Sequence, residues 1–262
     1  PEHDVEELLY LQVVHQILNQ HGLKAPVIHR VCGDQSVLGG VFAEMDLVPG
    51  QPLIEQKSEV CTSILGESMA AMHGLDVRPI VEAIRRSGVP DERFLSPAIH
   101  QKGLDLAEQK IPWASDLIGW LRDHFPLDGQ DLAVIHGDYH GRNVMFENGS
   151  ISGVLDWGFC ISDPAIDLAR TMNIHLVLSR QIDPAMSHQF LVQTMDEVLK
   201  AYQAIRPLNH ERIKACRVAD IFRFLVGSAA GVGPEFIRKP ESQRDYLTFI
   251  EQTTGIRLSP SA

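Results

Sequence analysis

The sequence predicts an α+β fold, and three observations carry that expectation. Apolar residues recur at helical spacing through most of the chain, two β-prone runs lie near its start, and an Asn-Gly turn joins two short apolar strands in its middle. Its 262 residues allow one large domain or two small ones. With 44% hydrophobic and 22% charged residues it can bury a sizeable core, which excludes a disordered, collagenous or coiled-coil chain.

In chain order, residues 4–21 read as an amphipathic helix, with Val5, Leu8, Leu9, Leu11, Val14, Ile17 and Leu18 near helical spacing and Gly22 as the stop. Runs 27–32 and 41–48 read as strands separated by a Gly33-Asp34 turn and the Gly39-Gly40 pair. Pro49-Gly50 reads as a linker, so residues 1–50 form a small αββ unit and 51–262 a mostly helical one. A helix over 60–73 closes at Gly74, and 77–128 is expected as a compact helical insert cut by several prolines. Residues 132–136 then form a short strand, and 144–146 and 151–155 form a hairpin about Glu147-Asn148-Gly149. Asp163-Pro164 opens a helix as N-cap and first position. Further helices are expected over 164–178, 184–205, 209–229 and 240–253.

Charge narrows the partners. The chain carries 23 Lys+Arg against 34 Asp+Glu, a formal −11. That argues against nucleic acid as the main partner and fits a small cationic substrate. No uncharged apolar run approaches the ~20 residues of a bilayer span, and the acidic start Pro1-Glu2-His3-Asp4 is not followed by a signal core. Cys32, Cys61, Cys160 and Cys216 are widely spaced and read as buried thiols of a reducing cytoplasm.

The chemistry concentrates in His136-Gly137-Asp138-Tyr139-His140-Gly141-Arg142-Asn143, the hairpin, Leu155-Asp156-Trp157, and Asp163-Pro164-Ala165-Ile166-Asp167-Leu168-Ala169. Asn143 begins the hairpin and Asp156 ends it, so the fold-back sets an amide oxygen beside a carboxylate. Those are hard ligands suited to Mg²⁺, which takes only one or two protein groups plus phosphates. Asp138, in the preceding loop, can accept a proton from an incoming hydroxyl. A base, a divalent-ion site and room for a triphosphate are the parts phosphoryl transfer requires.

This run resembles the catalytic and metal-binding segments of the aminoglycoside phosphotransferase/choline kinase-like family, whose pattern is approximately HGDxxxxN, a hairpin, (I/L)D(W/F) and DPxxDLA. The resemblance implies a protein kinase-like fold, mainly its helical C-terminal lobe, with catalytic loop 136–143 and metal segment 155–167. It implies Asp138 as catalytic base, Asn143 and Asp156 as Mg²⁺ ligands, and His136 as a brace for the loop. Asp163 and Asp167 would hold the following helix against that loop. Upstream, Phe42-Ala43-Glu44-Met45-Asp46-Leu47-Val48-Pro49-Gly50 is similar to the family's strand and hinge, which implies that the base of ATP or GTP meets the Asp46 carbonyl and the Val48 N–H. Met69-Ala70-Ala71-Met72-His73 resembles the end of the family's LAxLH helix. The implied acceptor is a hydroxyl of a small molecule, among them aminoglycosides, other antibiotics, choline-like amines, sugars and acyl-CoA derivatives.

One departure stands out. The family begins with a phosphate-covering loop and a strand lysine, and Lys24, the first lysine here, sits in a turn. The helix glutamate that pairs with that lysine is equally unplaced: Glu6 or Glu7 can serve, yet family spacing lands near Gln12. The chain therefore looks like a member whose first three strands lie outside it, truncation being the expectation over a fragment completed by another chain or a degenerate relative. A non-enzymatic binding module is accordingly the rival reading. A metal-dependent hydrolase using His136, Asp138 and His140, which alternate along an extended segment, is a second. Trp157 is expected in packing rather than in a cation-binding wall, and Asp167 as a buried structural carboxylate. Asp220 either meets a substrate amine or faces solvent, and Gly227–Gly233 reads as a close-packed helix end.

Overall fold

The computed structural model describes residues 5–95, 103–105, 107–109, 111–126, 129–179, 185–229, 231 and 235–259. Helix α1 (Val5–Gln20) buries Leu8, Val14, Ile17 and Leu18. It packs against β1 (Ile28–Cys32), which pairs antiparallel with β2 (Phe42–Met45) in the register Ile28↔Met45 and Cys32↔Phe42. Where a plain turn is expected between them, a one-turn helix α2 (Gln35–Leu38) forms. Asp34 caps it, its Oδ1 accepting from the Ser36 N–H at 2.9 Å. β2 is shorter than the expected 41–48 because the chain leaves the ladder at Asp46 and becomes the hinge.

Beyond the hinge, β3 (Gln51–Pro52) adds to the predicted hairpin of β5 (Val144–Glu147) and β6 (Ser150–Val154), giving the sheet order β3-β5-β6. The turn is as the sequence requires: Asn148 and Gly149 take φ of 51° and 80°, which pins Glu147 opposite Ser150. A second small sheet pairs β4 (Ala133–Ile135) with β7 (Cys160–Ser162). The sequence reading missed β7, because three residues are too few to show a period-2 pattern.

The helices follow the expected spans closely. They are α3 (Ser58–His73), α4 (Val77–Arg86), α5 (Ser115–His124), α6 (Ala165–Asn173), α7 (His188–Gln203), α8 (His210–Ala229), α9 (Glu235–Arg238) and α10 (Pro240–Thr254). A π turn at Ile174–Leu178 extends α6. Helix α3 packs on α7, and Gly66 permits the close approach: a Cβ there would lie 2.3 Å from the Val198 carbonyl oxygen. Part of the Gly227–Gly233 stretch, residues 230 and 232–234, lies outside the described residues, as do parts of the 77–128 insert.

The core divides in two. One cluster joins α1, α3, α7 and the sheets through Leu18, Met69, Val134, Val144 and Tyr202; the other joins α5, α8 and α10 through Leu117, Leu121, Ile221 and Tyr246. All four cysteines are free; Cys216 is buried as expected, whereas Cys32, Cys61 and Cys160 are only half-buried. Among the described residues no helix is long and apolar enough to cross a membrane.

Candidate active site

β4 ends by delivering His136 into the core, where its side chain is fully buried. The ring is locked at both nitrogens. Nδ1 accepts from the Asp138 N–H at 3.1 Å, so Nε2 carries the hydrogen and donates to the Leu155 carbonyl at 2.8 Å. Burial lowers its pKa, which suits this neutral tautomer. The loop is held from below by Asp167, also fully buried, whose two oxygens accept from the His136 and Gly137 N–H groups, each at 2.7 Å. The buried His73 Nε2 donates to Asp167 at 3.2 Å, and its Nδ1 lies 3.0 Å from the Tyr202 hydroxyl. Two residues expected as braces, His136 and Asp167, thus sit beneath the loop, and His73 at the end of the LAxLH-like helix joins them. Gly137 turns at φ 87°, where a Cβ would lie 3.0 Å from the Gly158 carbonyl oxygen.

Above this base the Asp138 carboxylate is half-exposed and contacted on both oxygens. Oδ1 accepts from Arg170 Nε at 3.1 Å, while His140 Nε2 at 3.3 Å and Asn143 Nδ2 at 3.4 Å face Oδ2. Burial pushes the carboxyl up, but the His140 hydrogen bond and the Arg170 charge outweigh it and hold the pKa at about 2. The loop is also stitched to its neighbours: the Tyr139 hydroxyl donates to Ser68 Oγ at 2.8 Å, and Thr171 Oγ1 donates to the Tyr139 carbonyl at 2.6 Å.

Asn143 and Asp156 flank the base of the hairpin, one on each leg. Val144 pairs with Val154, and the ladder continues one step further as the Leu155 N–H donates to the Asn143 carbonyl at 2.7 Å. The Asn143 side chain is buried, and its Nδ2 donates to the Asp138 carbonyl at 3.0 Å, which leaves Oδ1 as the available end. Asp156 follows immediately, exposed, with no hydrogen bond or ion pair among the described residues and with φ at 57°. That left-handed conformation is uncommon for a residue with a Cβ, though Asp and Asn adopt it more readily than others. A carboxylate without a partner among the described residues and an amide oxygen, carried on the two legs of one hairpin, are a donor set of the kind that fits Mg²⁺. The rival hydrolase trio does not form: His136 is buried with both nitrogens engaged, and among the described residues no three His, Cys, Asp or Glu side chains are placed to hold a metal.

At the hinge, the Asp46 N–H donates to the Val27 carbonyl at 3.0 Å and its side chain pairs with His29 at 2.6 Å. Among the described residues neither the Asp46 carbonyl nor the Val48 N–H has a hydrogen-bond partner. A cavity of about 310 Å³ borders this segment, between Asp46–Pro49 and Lys24–Val27. Val48 seats on β6, where Gly153 leaves room for it. Lys24 lies in a turn, as expected: its carbonyl accepts from the Val154 N–H at 2.8 Å and its Nζ reaches the Ile151 carbonyl. Glu7 pairs with Arg93 at 2.8 Å, and Gln12 donates to the Ile28 carbonyl at 2.9 Å.

Trp157 is buried against His136, ring centroids 4.6 Å apart, in the packing role expected of it. Asp163 caps α6 by accepting from the Ala165 N–H at 2.9 Å and also pairs with Arg212. Asp220 does not face solvent. It is largely buried, its Oδ1 contacted by Arg170 at 3.4 Å and Arg223 at 3.0 Å and its Oδ2 by Asn173 at 3.0 Å. Arg170, the group on Asp138, was missed by the sequence reading; its only signal was a position three residues after Asp167, on the same helix face.

Comparison with known proteins gives the family and the fold. The model of a phosphotransferase enzyme family matches residues 1–208. Acyl-CoA dehydrogenase family member 11 of Gallus gallus is 28% identical over 167 residues, covering 60% of this chain and 21% of that protein, so the chain spans about a fifth of that relative. Aminoglycoside 3'-phosphotransferase of Streptomyces fradiae is 26% identical over 193 residues, 66% of this chain and 67% of that one. Among solved structures, amicoumacin kinase hAmiN in complex with AMP-PNP, Ca²⁺ and Ami superimposes with a TM-score of 0.61 at 13% identity, over 97% of this chain and 79% of that one. That likeness lies in the fold, which is kinase-like as the sequence predicts.

Proposed function

This chain belongs to the phosphotransferase enzyme family, and from that premise we propose that it moves the γ-phosphoryl group of ATP or GTP onto a hydroxyl of a small molecule. The observation that supports the proposal is the hairpin base, whose two legs carry Asn143 and Asp156, the latter without a partner among the described residues, one loop away from Asp138. Asn143 and Asp156 would hold Mg²⁺, which when bound neutralises charge on the transferring phosphates. The Asp46 carbonyl and Val48 N–H, without hydrogen-bond partners among the described residues, would receive the nucleotide base at the hinge.

Asp138 is the group that meets the acceptor. At a pKa of about 2 it is ionised at neutral pH and too weak a base to deprotonate an alcohol in advance. It therefore accepts the hydroxyl's hydrogen bond, points the oxygen at phosphorus, and takes the proton as the new O–P bond forms and the bond to the departing nucleoside diphosphate breaks. A loose phosphoryl transition state asks for little more than that orientation. The test is transfer of labelled γ-phosphate to a panel of aminoglycosides, amines, sugars and acyl-CoA derivatives. Asp138→Ala is expected to lower transfer by about 10²–10⁴-fold with an unchanged circular dichroism spectrum; full activity in that variant would remove the mechanism.

A further inference from the structure

Arg170 stands at a junction that the proposed reaction leaves unexplained. Its Nε donates to Asp138 Oδ1 at 3.1 Å, its Nη1 lies 3.4 Å from Asp220 Oδ1, and its guanidinium carbon sits 5.1 Å from the centroid of the Phe224 ring. Asp220 and Phe224 both belong to α8, in the C-terminal part of the chain, whereas Asp138 belongs to the catalytic loop. Asp220 is itself fixed, with Asn173 Nδ2 on its other oxygen at 3.0 Å and Arg223 alongside. A planar guanidinium held at one edge, at one terminal nitrogen and over one face has little rotational freedom left. Asn173 is tied in turn by its Nδ2 to the Arg217 carbonyl at 3.0 Å and by its Oδ1 to Arg217 Nε at 2.9 Å. The chain of contacts runs from α8 through Arg170 to one oxygen of the group that orients the acceptor.

We infer that Arg170 is a positioning residue for Asp138, and that Asp220 is its anchor. Resting on the phosphotransferase reading, this gives α8 a task at the catalytic loop. It fixes which lone pairs of Asp138 face the hydroxyl, and it sets a positive charge beside the carboxylate that an anionic triphosphate must approach. Arg170→Lys keeps a charge but cannot span both carboxylates in one plane.

Phosphate release from Mg-ATP, with water as acceptor, tests this in the whole chain. In Arg170→Ala, kcat is expected to fall on the order of 10²-fold, the scale of a misplaced catalytic group, while KM for Mg-ATP holds. Added guanidinium ion should restore much of that loss in Arg170→Ala and do nothing for wild type or Asp138→Ala. Arg170→Lys and Asp220→Asn should fall between, again in kcat, and either one decides the matter if Arg170→Ala does not fold. An active wild type whose Arg170→Ala variant keeps its kcat, or loses it with no response to guanidinium, overturns this assignment alone. A wild type that neither binds Mg-ATP nor releases phosphate overturns the phosphotransferase reading and this assignment with it.

Discussion

The segment from β4 to the end of α6 and the segment from β1 to the hinge are both short β structures beside a helix, yet they are built in opposite ways. In the first, buried polar groups are answered by specific partners: His136 by Leu155, Asp167 by two backbone N–H groups and His73, Asn143 by Asp138. In the second, apolar side chains face solvent, Leu38 at 71% and Leu47 at 96% exposure, and the ion pairs His29–Asp46 and Arg30–Glu44 lie on the surface. The difference shows where geometry is fixed. A loop that must hold an acid, an amide and a carboxylate in register is braced from beneath by buried hydrogen bonds, which are costly to leave unmade.

The largest effect that would break this contrast lies at Asp167. Asp167→Ala strands the buried His136 N–H, the partly buried Gly137 N–H and His73, and is expected to cost about 3–5 kcal/mol in urea unfolding; a loss under about 1 kcal/mol would mean that the loop is held by something else. Next comes Gly137→Ala, which forces a side chain into a left-handed turn against the Gly158 carbonyl. Its expected cost is about 1–3 kcal/mol, with a lower affinity for Mg-nucleotide because Asp138 and Asn143 follow directly. The smallest is Glu44→Gln in the exposed pair with Arg30, which should change the free energy of urea unfolding by less than about 1 kcal/mol. A larger loss there would erase the distinction between the two regions.

Much of this was legible in the sequence, for identifiable reasons. The Asn148-Gly149 turn sets hairpin register by local chemistry alone, so the pairing of Val144 with Val154, which carries Asn143 and Asp156 to the same end of the hairpin, could be reasoned from spacing. The cap at Asp163 and the helix ends at Gly22 and Gly74 are equally local. What escaped is nonlocal. β7 is three residues long and exists because β4 offers it a ladder. Asp220 could be placed on a helix, but nothing in its neighbours along the chain says that Arg170, fifty positions earlier, will occupy it. Arg170 itself follows the DPxxDLA-like run by one residue, and its role depends on a loop thirty-two positions upstream.

The account stands or falls on Asp156 and its neighbour Asn143 sharing one magnesium-bound nucleotide. Calorimetric titration of Mg-ATP into wild type, Asp138→Ala and Asp156→Asn tests that directly. Wild type and Asp138→Ala should bind alike, and Asp156→Asn more weakly by on the order of 10–100-fold. Equal affinity in all three would contradict it.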